Sequence, residues 1–251
     1  PLITDDVFKH VKEVLESGWI TTGPKSRALE NEFQKYTGSQ ASIAVNSWSS
    51  GALLTLKWLG LQSGDEVIIP AYTYAATALS VLHAGGTPVM CDVGDDFCID
   101  PQKMAELITE KTKAVIPVDF GGLPADYSAI RAEVDAASPI FVPQSRAQSR
   151  FGRVAILADA AHSLGAQWNG MPAAQAADIT IYSTHAVKNL TTAEGGMIML
   201  NLPAVFDIKS EARWFELNRL NGQTKDAFAK SKAGGWRYDI VSDGMKLNMP
   251  D

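Results

Sequence analysis

Short apolar runs alternate with helix-length stretches along most of this chain, and few architectures accept that order. The runs fall near residues 42–46, 66–70, 87–91, 113–118, 154–159, 178–182 and 196–200. Helical stretches lie near 50–59, 73–84, 101–109, 125–136 and 203–219. Such alternation predicts an α/β fold with a mainly parallel sheet, here seven-stranded, and helices on both faces. Val67, Ile68 and Ile69 are apolar without a break, as are Ala114, Val115 and Ile116; strands buried on both sides read this way. Ahead of the alternation, residues 4–17 and 25–36 read as amphipathic helices, the first with Val7, Val11, Val14 and Leu15 at helical spacing. Two stretches break the pattern. Residues 138–153 carry Arg146, Arg150 and Arg153; they read as a solvated surface insertion or, because arginine matches phosphate geometry, as a loop facing a nucleotide diphosphate. Residues 221–236 read as a mobile connection.

The chemistry-bearing residues sit just past predicted strand ends, where open α/β sheets bind their ligands. Lys188 lies in the polar turn from Ser183 to Gly196, between two apolar runs. An amine in a partly dry pocket has a lowered pKa and can attack a carbonyl. Pyridoxal 5'-phosphate (PLP) is the carbonyl that a lysine holds as a Schiff base. Asp159 ends another run and could pair with the ring nitrogen of such a cofactor, though an aspartate there also suits a helix N-cap. His162 either touches the ring oxygen or is a satisfied interior histidine. Ser49 and Ser50 open a helix after the first run, where free amides and the helix dipole favour phosphate; an ordinary serine cap would look the same. Ser183 is a further phosphate candidate. Tyr74, with Tyr72 second, could lie flat on a pyridine ring, or both could only pack at the top of the sheet.

With these motifs in place, the chain resembles the DegT/DnrJ/EryC1/StrS group of PLP-dependent aminotransferases that act on nucleotide-linked keto-sugars. The likeness runs from Gly18, Trp19, Thr21, Thr22, Gly23 and Pro24 to the last residues; it is strongest at Asp159–Ala160–Ala161–His162 and from Ser183 to Gly196. It implies an aspartate-aminotransferase-like (fold type I) large domain over residues 1–251, with an N-terminal helical arm. It also implies catalytic roles for Lys188 and Asp159, and cofactor contacts from Ser49, Ser50, Tyr74, His162 and Ser183. The motif Gly244–Met245–Lys246–Leu247–Asn248–Met249 lies mid-protein in the family, ahead of a smaller C-terminal domain. The chain therefore reads as a piece of a longer enzyme lacking that domain. In the family this motif reaches towards a partner's cofactor, which makes Lys246 a candidate phosphate contact in trans within a homodimer with shared active sites; a solvated surface lysine is the alternative. Departures are Ser49 where threonine is usual, Thr184 where phenylalanine is frequent, and Asp119 where many members carry histidine. Relatives that act as sugar dehydratases replace the Schiff-base lysine by histidine, so Lys188 favours transamination over a dehydratase or a non-catalytic regulatory relative. The implied substrates are an amino-acid donor, glutamate by resemblance, and a keto-sugar nucleotide acceptor, in amino-sugar biosynthesis such as that of cell-surface polysaccharide.

Composition fits an enzyme domain. With 251 residues, 46% hydrophobic and 20% charged, the chain can bury a sizeable core. A net charge of -6 argues against nucleic acid or an anionic membrane as partner. Cys91 and Cys98 lack metal-ligand spacing, and no metal is expected. No apolar run approaches the roughly 20 residues that span a bilayer, and the expected location is the cytoplasm.

Overall fold

The computed structural model describes residues 2–225 and 237–251. Its helices are α1 (Asp5–Ser17), α2 (Pro24–Thr37), α3 (Trp48–Leu59), α4 (Ala75–Ala84), α5 (Pro101–Glu106), α6 (Tyr127–Ala136), α7 (Arg146–Phe151) and α8 (Ile208–Asn218). Its strands are β1 (Ala41–Val45), β2 (Glu66–Pro70), β3 (Thr87–Cys91), β4 (Thr112–Val115), β5 (Ala155–Asp159), the two-residue β6 (Gln167–Trp168) and β7 (Met171–Pro172), β8 (Ile179–Ser183) and β9 (Gly196–Leu200). Seven strands form one sheet in the order β1-β9-β8-β5-β4-β2-β3, and β6 pairs with β7 apart from it. Pairing is parallel from β8 through to β3, and β9 is antiparallel to both β8 and β1. Among these seven, β9 alone therefore runs the other way. The expected seven-stranded, mainly parallel α/β sheet is present.

The continuous apolar runs have the predicted cause. Every residue of β5, β8 and β9 is buried, which a strand needs when helices cover both faces. Alternate side chains serve different cores. Ile43, Val45, Val67, Ile69, Leu157, Ile181 and Ile198 join Leu54, Trp58 and Phe215 from α3 and α8. Ile68, Val115 and Ile156 meet Met104 of α5 and Tyr127, Ile130 and Val134 of α6. Phe33 of α2 packs on Ala44, Tyr182, Met197 and Met199. Helix α3 starts where Ser47 Oγ accepts the Ser50 amide at 3.1 Å and stops at Gly60, in the left-handed region at φ 75°. Helix α1 forms as its spacing predicts, yet none of its residues is buried; Val7, Phe8, Val11 and Leu15 are exposed.

Three expectations are corrected. Residues 138–153 are not a substrate-facing loop, and they are a solvated surface segment only in part. They hold α7, whose Ala147, Gln148 and Phe151 are buried. Ser145 Oγ and Gln148 Nε2 donate to the Leu59 carbonyl at the end of α3, at 2.6 and 3.2 Å. Arg150 pairs with Glu211 at 2.9 Å and Arg153 with Asp178 at 2.8 Å, while Arg146 is exposed. Helix α7 leads into the amino end of β5, opposite the edge where ligands bind. Residues 221–225 are pinned rather than mobile. The Asn221 amide donates to the Met245 carbonyl at 2.9 Å, and a Cβ on Gly222 would stand 2.1 Å from the Ser242 carbonyl oxygen. Residues 226–236 of that expected connection lie outside the described residues. Predicted helix 203–219 is shorter, at 208–218, because Asp207 caps it by accepting the Lys209 amide.

Asp178 ties the amino edge together. Its carboxylate accepts two bonds from Arg153 at 2.8 Å, one from Arg131 at 2.9 Å and the Ile156 amide at 2.8 Å. Burial alone would raise its pKa, but hydrogen bonding and charge from Arg153, then Arg131, outweigh that and hold it below the ordinary carboxylate range. A depressed folded-state pKa contributes stability above the unfolded value, and that stability is lost as pH falls through the folded value. Asp178→Asn should cost about 3 kcal/mol at pH 7, the scale of breaking a buried ion pair. The deficit should narrow as pH drops below about 4. Urea unfolding of both chains at pH 7 and pH 3 measures this; an equal deficit at both values would contradict it.

Candidate active site

The carboxyl ends of β1, β2, β4, β5 and β8 open on one edge of the sheet, around a cavity of about 840 Å³. Its lining includes Ser47, Ser49, Tyr72, Tyr74, Asp159, His162, Ser183 and Lys188. Most of the predicted site residues thus converge from separate elements.

Lys188 sits in the turn between β8 and β9. Thr184 bridges that turn: its amide donates to the Gly195 carbonyl at 2.9 Å, its carbonyl accepts the Thr192 amide at 2.9 Å, and its hydroxyl lies 2.6 Å from that of Thr192. The Lys188 amide donates to the His185 carbonyl at 3.0 Å. Lys188 Nζ stands 2.8 Å from His162 Nε2. Burial lowers the pKa of the Lys188 amine, against a smaller opposing pull from Asp159. Burial also lowers that of His162, with the nearby lysine charge adding to it. Both shifts favour neutral nitrogen, so one can carry a free lone pair while the other donates the hydrogen bond. His162 is therefore an exposed cavity residue bonded to Lys188, not an interior histidine.

Asp159 is the last residue of β5 and 5% exposed. Thr77 Oγ donates to its Oδ2 at 3.0 Å and the Ala161 amide to its Oδ1 at 3.3 Å. Burial pushes its pKa up to about 7, and these two donors offset only part of that. A carboxylate held with so few donors in a dry place is suited to receive a cation. Thr77 was not foreseen from the sequence, although its place three residues after Tyr74 in the first turn of α4 was legible. Asp159 does not act as a helix cap; no helix follows it directly.

The start of α3 forms another part of the cavity wall. Ser47 caps the helix, and Ser47, Trp48 and Ser49 line the cavity. The expected role of Ser50 is corrected in part. Its amide and hydroxyl both engage Ser47 Oγ, at 3.1 and 3.0 Å, and its side chain does not line the cavity. Ser47, within the serine-bearing segment expected to hold phosphate, lines the cavity beside Ser49. Ser183 is 9% exposed and lines the cavity, its hydroxyl accepting the His185 amide at 3.3 Å. Tyr74 is 82% exposed over the opening. Tyr72 packs with Phe97 and Phe120, ring centroids 5.4 and 5.2 Å apart, so Tyr74 is the ring left to meet a ligand. Lys246 lies outside this cavity, exposed and hydrogen-bonded to Asn248.

One glycine makes the close fit possible. A Cβ on Gly196 would stand 2.6 Å from the Ser47 carbonyl carbon, 2.7 Å from its oxygen and 2.8 Å from the Trp48 nitrogen. Backbone cannot yield as a flexible side chain can. Gly196→Ala should therefore push the start of α3 away from the sheet and lower stability by about 1–3 kcal/mol, the range for overpacking. Urea denaturation checks this; an unchanged midpoint would mean the strand and the loop are not in close contact.

Comparisons with known proteins show what the chain is similar to. A sequence profile of the DegT/DnrJ/EryC1/StrS aminotransferase family matches residues 1–251. Spr1654 of Streptococcus pneumoniae, a candidate sugar aminotransferase, is similar over 100% of this chain with a TM-score of 0.94. The apo form is 41% identical and the PLP form 40%. DesV of S. venezuelae is 28% identical over 98% of this chain, with a TM-score of 0.79, and 58% of DesV is covered. PseC of Helicobacter pylori, an aminotransferase in the biosynthesis of pseudoaminic acid, is 26% identical over 100% of this chain, with a TM-score of 0.81 and 60% of PseC covered. This chain spans 61% of the length of the apo Spr1654 chain and 62% of the PLP form.

Proposed function

This chain belongs to the DegT/DnrJ/EryC1/StrS aminotransferase family, and from that premise we propose that it is the cofactor-binding part of a PLP-dependent sugar aminotransferase. The single observation that carries the reading is the meeting of Lys188, Asp159 and the amino end of α3 in one cavity. An amine with lowered pKa, a buried carboxylate and a helix N-terminus match an aldehyde, a ring nitrogen and a phosphate, respectively. The residues present fit the group. Lys188 would hold it through its amine, Asp159 its ring nitrogen, and Ser47, Ser49, Ser183 and the free α3 amides its phosphate. Tyr74 is the aromatic face.

When bound, PLP supplies a carbonyl for amine exchange and an electron-withdrawing ring that stabilises negative charge at a carbon losing its proton. The protein's own groups do the rest. Lys188 Nζ serves as nucleophile, and once free it accepts a proton and returns it at a neighbouring position. His162 Nε2, 2.8 Å away, orients that amine and shares its proton. Asp159 keeps positive charge at the ring nitrogen. The cavity walls around Asp159 and Thr77 exclude water from that end of the site.

The substrates in this reading are an amino-acid donor, with glutamate the one named by resemblance, and a keto-sugar nucleotide acceptor. Spr1654, DesV and PseC support the sugar class. The product would enter amino-sugar biosynthesis, with cell-surface polysaccharide one destination. A cytoplasmic location follows from that substrate class. Among the described residues no helix is long and apolar enough to cross a membrane. A homodimer with shared sites belongs to the same reading. Supporting it are Lys246, which does not reach its own cavity, and the apolar Val7, Phe8, Val11 and Leu15, which the described chain leaves uncovered.

Adding PLP to the purified chain should give a visible absorbance band, and borohydride reduction should fix the label on Lys188 in a peptide map. Glutamate should move the band to shorter wavelength. Lys188→Ala should lose the band while phosphate-end binding persists. Label on another lysine, or an unchanged spectrum with Lys188→Ala, would sink the assignment.

A further inference from the structure

The same cavity is lined by a second buried carboxylate, on the strand path beside that of Asp159, that the proposed chemistry does not use. Asp119 follows β4 and is 2% exposed. Its backbone pairs with that of Asp159: the Asp119 amide donates to the Asp159 carbonyl at 3.0 Å, and the Asp159 amide donates to the Pro117 carbonyl at 2.8 Å. Three groups donate to its side chain. The Tyr127 hydroxyl reaches Oδ1 at 2.7 Å, the Ala125 amide reaches Oδ1 at 3.1 Å, and the Ser163 hydroxyl reaches Oδ2 at 2.5 Å. These donors come from the loop after β4, from α6 and from the turn after β5. Asp119 thus fastens the turn that carries both Asp159 and His162. Gly122, at φ 93°, lets the same loop close on that turn; a Cβ there would stand 3.0 Å from the His162 carbonyl oxygen.

The two carboxylates are unequally served. Asp119 has three donors and Asp159 two, the latter with the longer contact of 3.3 Å. With like charges close together in a dry place, the better-solvated partner stays ionised and the other takes the proton. We propose that Asp119 is a positioning residue of the site: it clamps the Asp159–His162 turn and supplies a second, permanent negative charge beneath the carboxylate that receives the ligand's cation. Burial pushes the Asp119 pKa up, and its Ser163, Tyr127 and Ala125 donors pull it back down. For Asp159 the Asp119 charge adds to burial in the upward direction. The other ionisable groups facing this pair are Lys188 across the cavity, His162 on the clamped turn, Tyr127 of α6, Tyr182 of β8 and Cys98. Both tyrosines have raised pKa values, chiefly from burial, and Cys98 likewise. Burial favours the neutral form of all three, whereas Asp119 is the member of the group whose carboxylate receives three donors.

The test is a carbon-13 titration of the side-chain carboxyls in the aspartate-labelled 251-residue chain, with resonances assigned along the chain. In the unaltered protein the Asp119 signal should stay at its carboxylate position while Asp159 titrates near 7. In Asp119→Asn the Asp159 midpoint should fall by roughly one pH unit, the size of a close like-charge interaction. Loss of fastening alone would lower the thermal midpoint and leave the Asp159 titration in place, which would overturn the proposal. Should the variant not fold, the unaltered chain still decides: protonation of Asp119 at or above the Asp159 midpoint refutes it, and a persistently ionised Asp119 supports it. The consequence for a bound ring rests on the function proposed above, whereas the titration needs no cofactor. Failure to bind PLP and failure of this charge arrangement are therefore separate results.

Discussion

Strand direction is the constraint on which this site depends. With β9 as the single reversed strand of the large sheet, the carboxyl ends of the other six face one edge. Polar residues there can leave the core without exposing the apolar runs behind them. The reversal of β9 contributes at the same edge. Gly196 begins β9 opposite Val45 and Ser183, so its missing side chain lets the start of α3 settle against the sheet. A sheet with β9 parallel would need a long crossover after β8. Residues 184–195, which carry Lys188, instead stay at the carboxyl edge because β9 returns antiparallel to β8.

Burial then sets the protonation of the groups brought together. Asp159 and Asp119 rise, Lys188 and His162 fall, and in each case the leading cause is loss of water. The same sheet edge offers the opposite environment at α3, where free amides and the helix dipole welcome negative charge. The amino edge behaves differently again. Asp178 is as deeply buried as Asp159 and holds a depressed pKa, because two arginines and an amide meet it. The number of donors and cations aimed at a buried carboxylate, rather than its depth, decides whether it is a fastening or a receptor.

Much of this was legible in the residues. Unbroken apolar runs marked strands covered on both faces, and the polar residues just past them marked the edge that binds ligands. Lys188, Asp159, Ser49, Tyr74, His162 and Ser183 meet in the cavity because each follows a strand whose direction the alternation had already set. What sequence could not disclose were relations across the fold. Ser47 and Ser50 are equally plausible caps in a run of serines; only the helix start shows that Ser47 lines the cavity while Ser50 turns to it. Arg150 and Arg153 read as solvated, or as phosphate-facing, because their partners, Glu211 and Asp178, are far away in the chain. Thr77 and Asp119 gain meaning only beside Asp159, which is remote in sequence from both.

The cavity disfavours the charged forms of Lys188, His162 and Asp159 through loss of water. Its polar ends are nevertheless opposite in preference: Asp119 and Asp159 at one, the amides of α3 at the other. A ligand that is positive at one end and negative at the other satisfies both without leaving an unpaired charge in a dry place. A uniformly anionic ligand would meet the carboxylate floor, and a uniformly cationic one the helix dipole. The Lys188 amine, its pKa lowered by burial, gives such a dipolar ligand a point of attachment. This complementarity is a property of where the protein places its charges, and it narrows the class of cofactor before any particular molecule is considered.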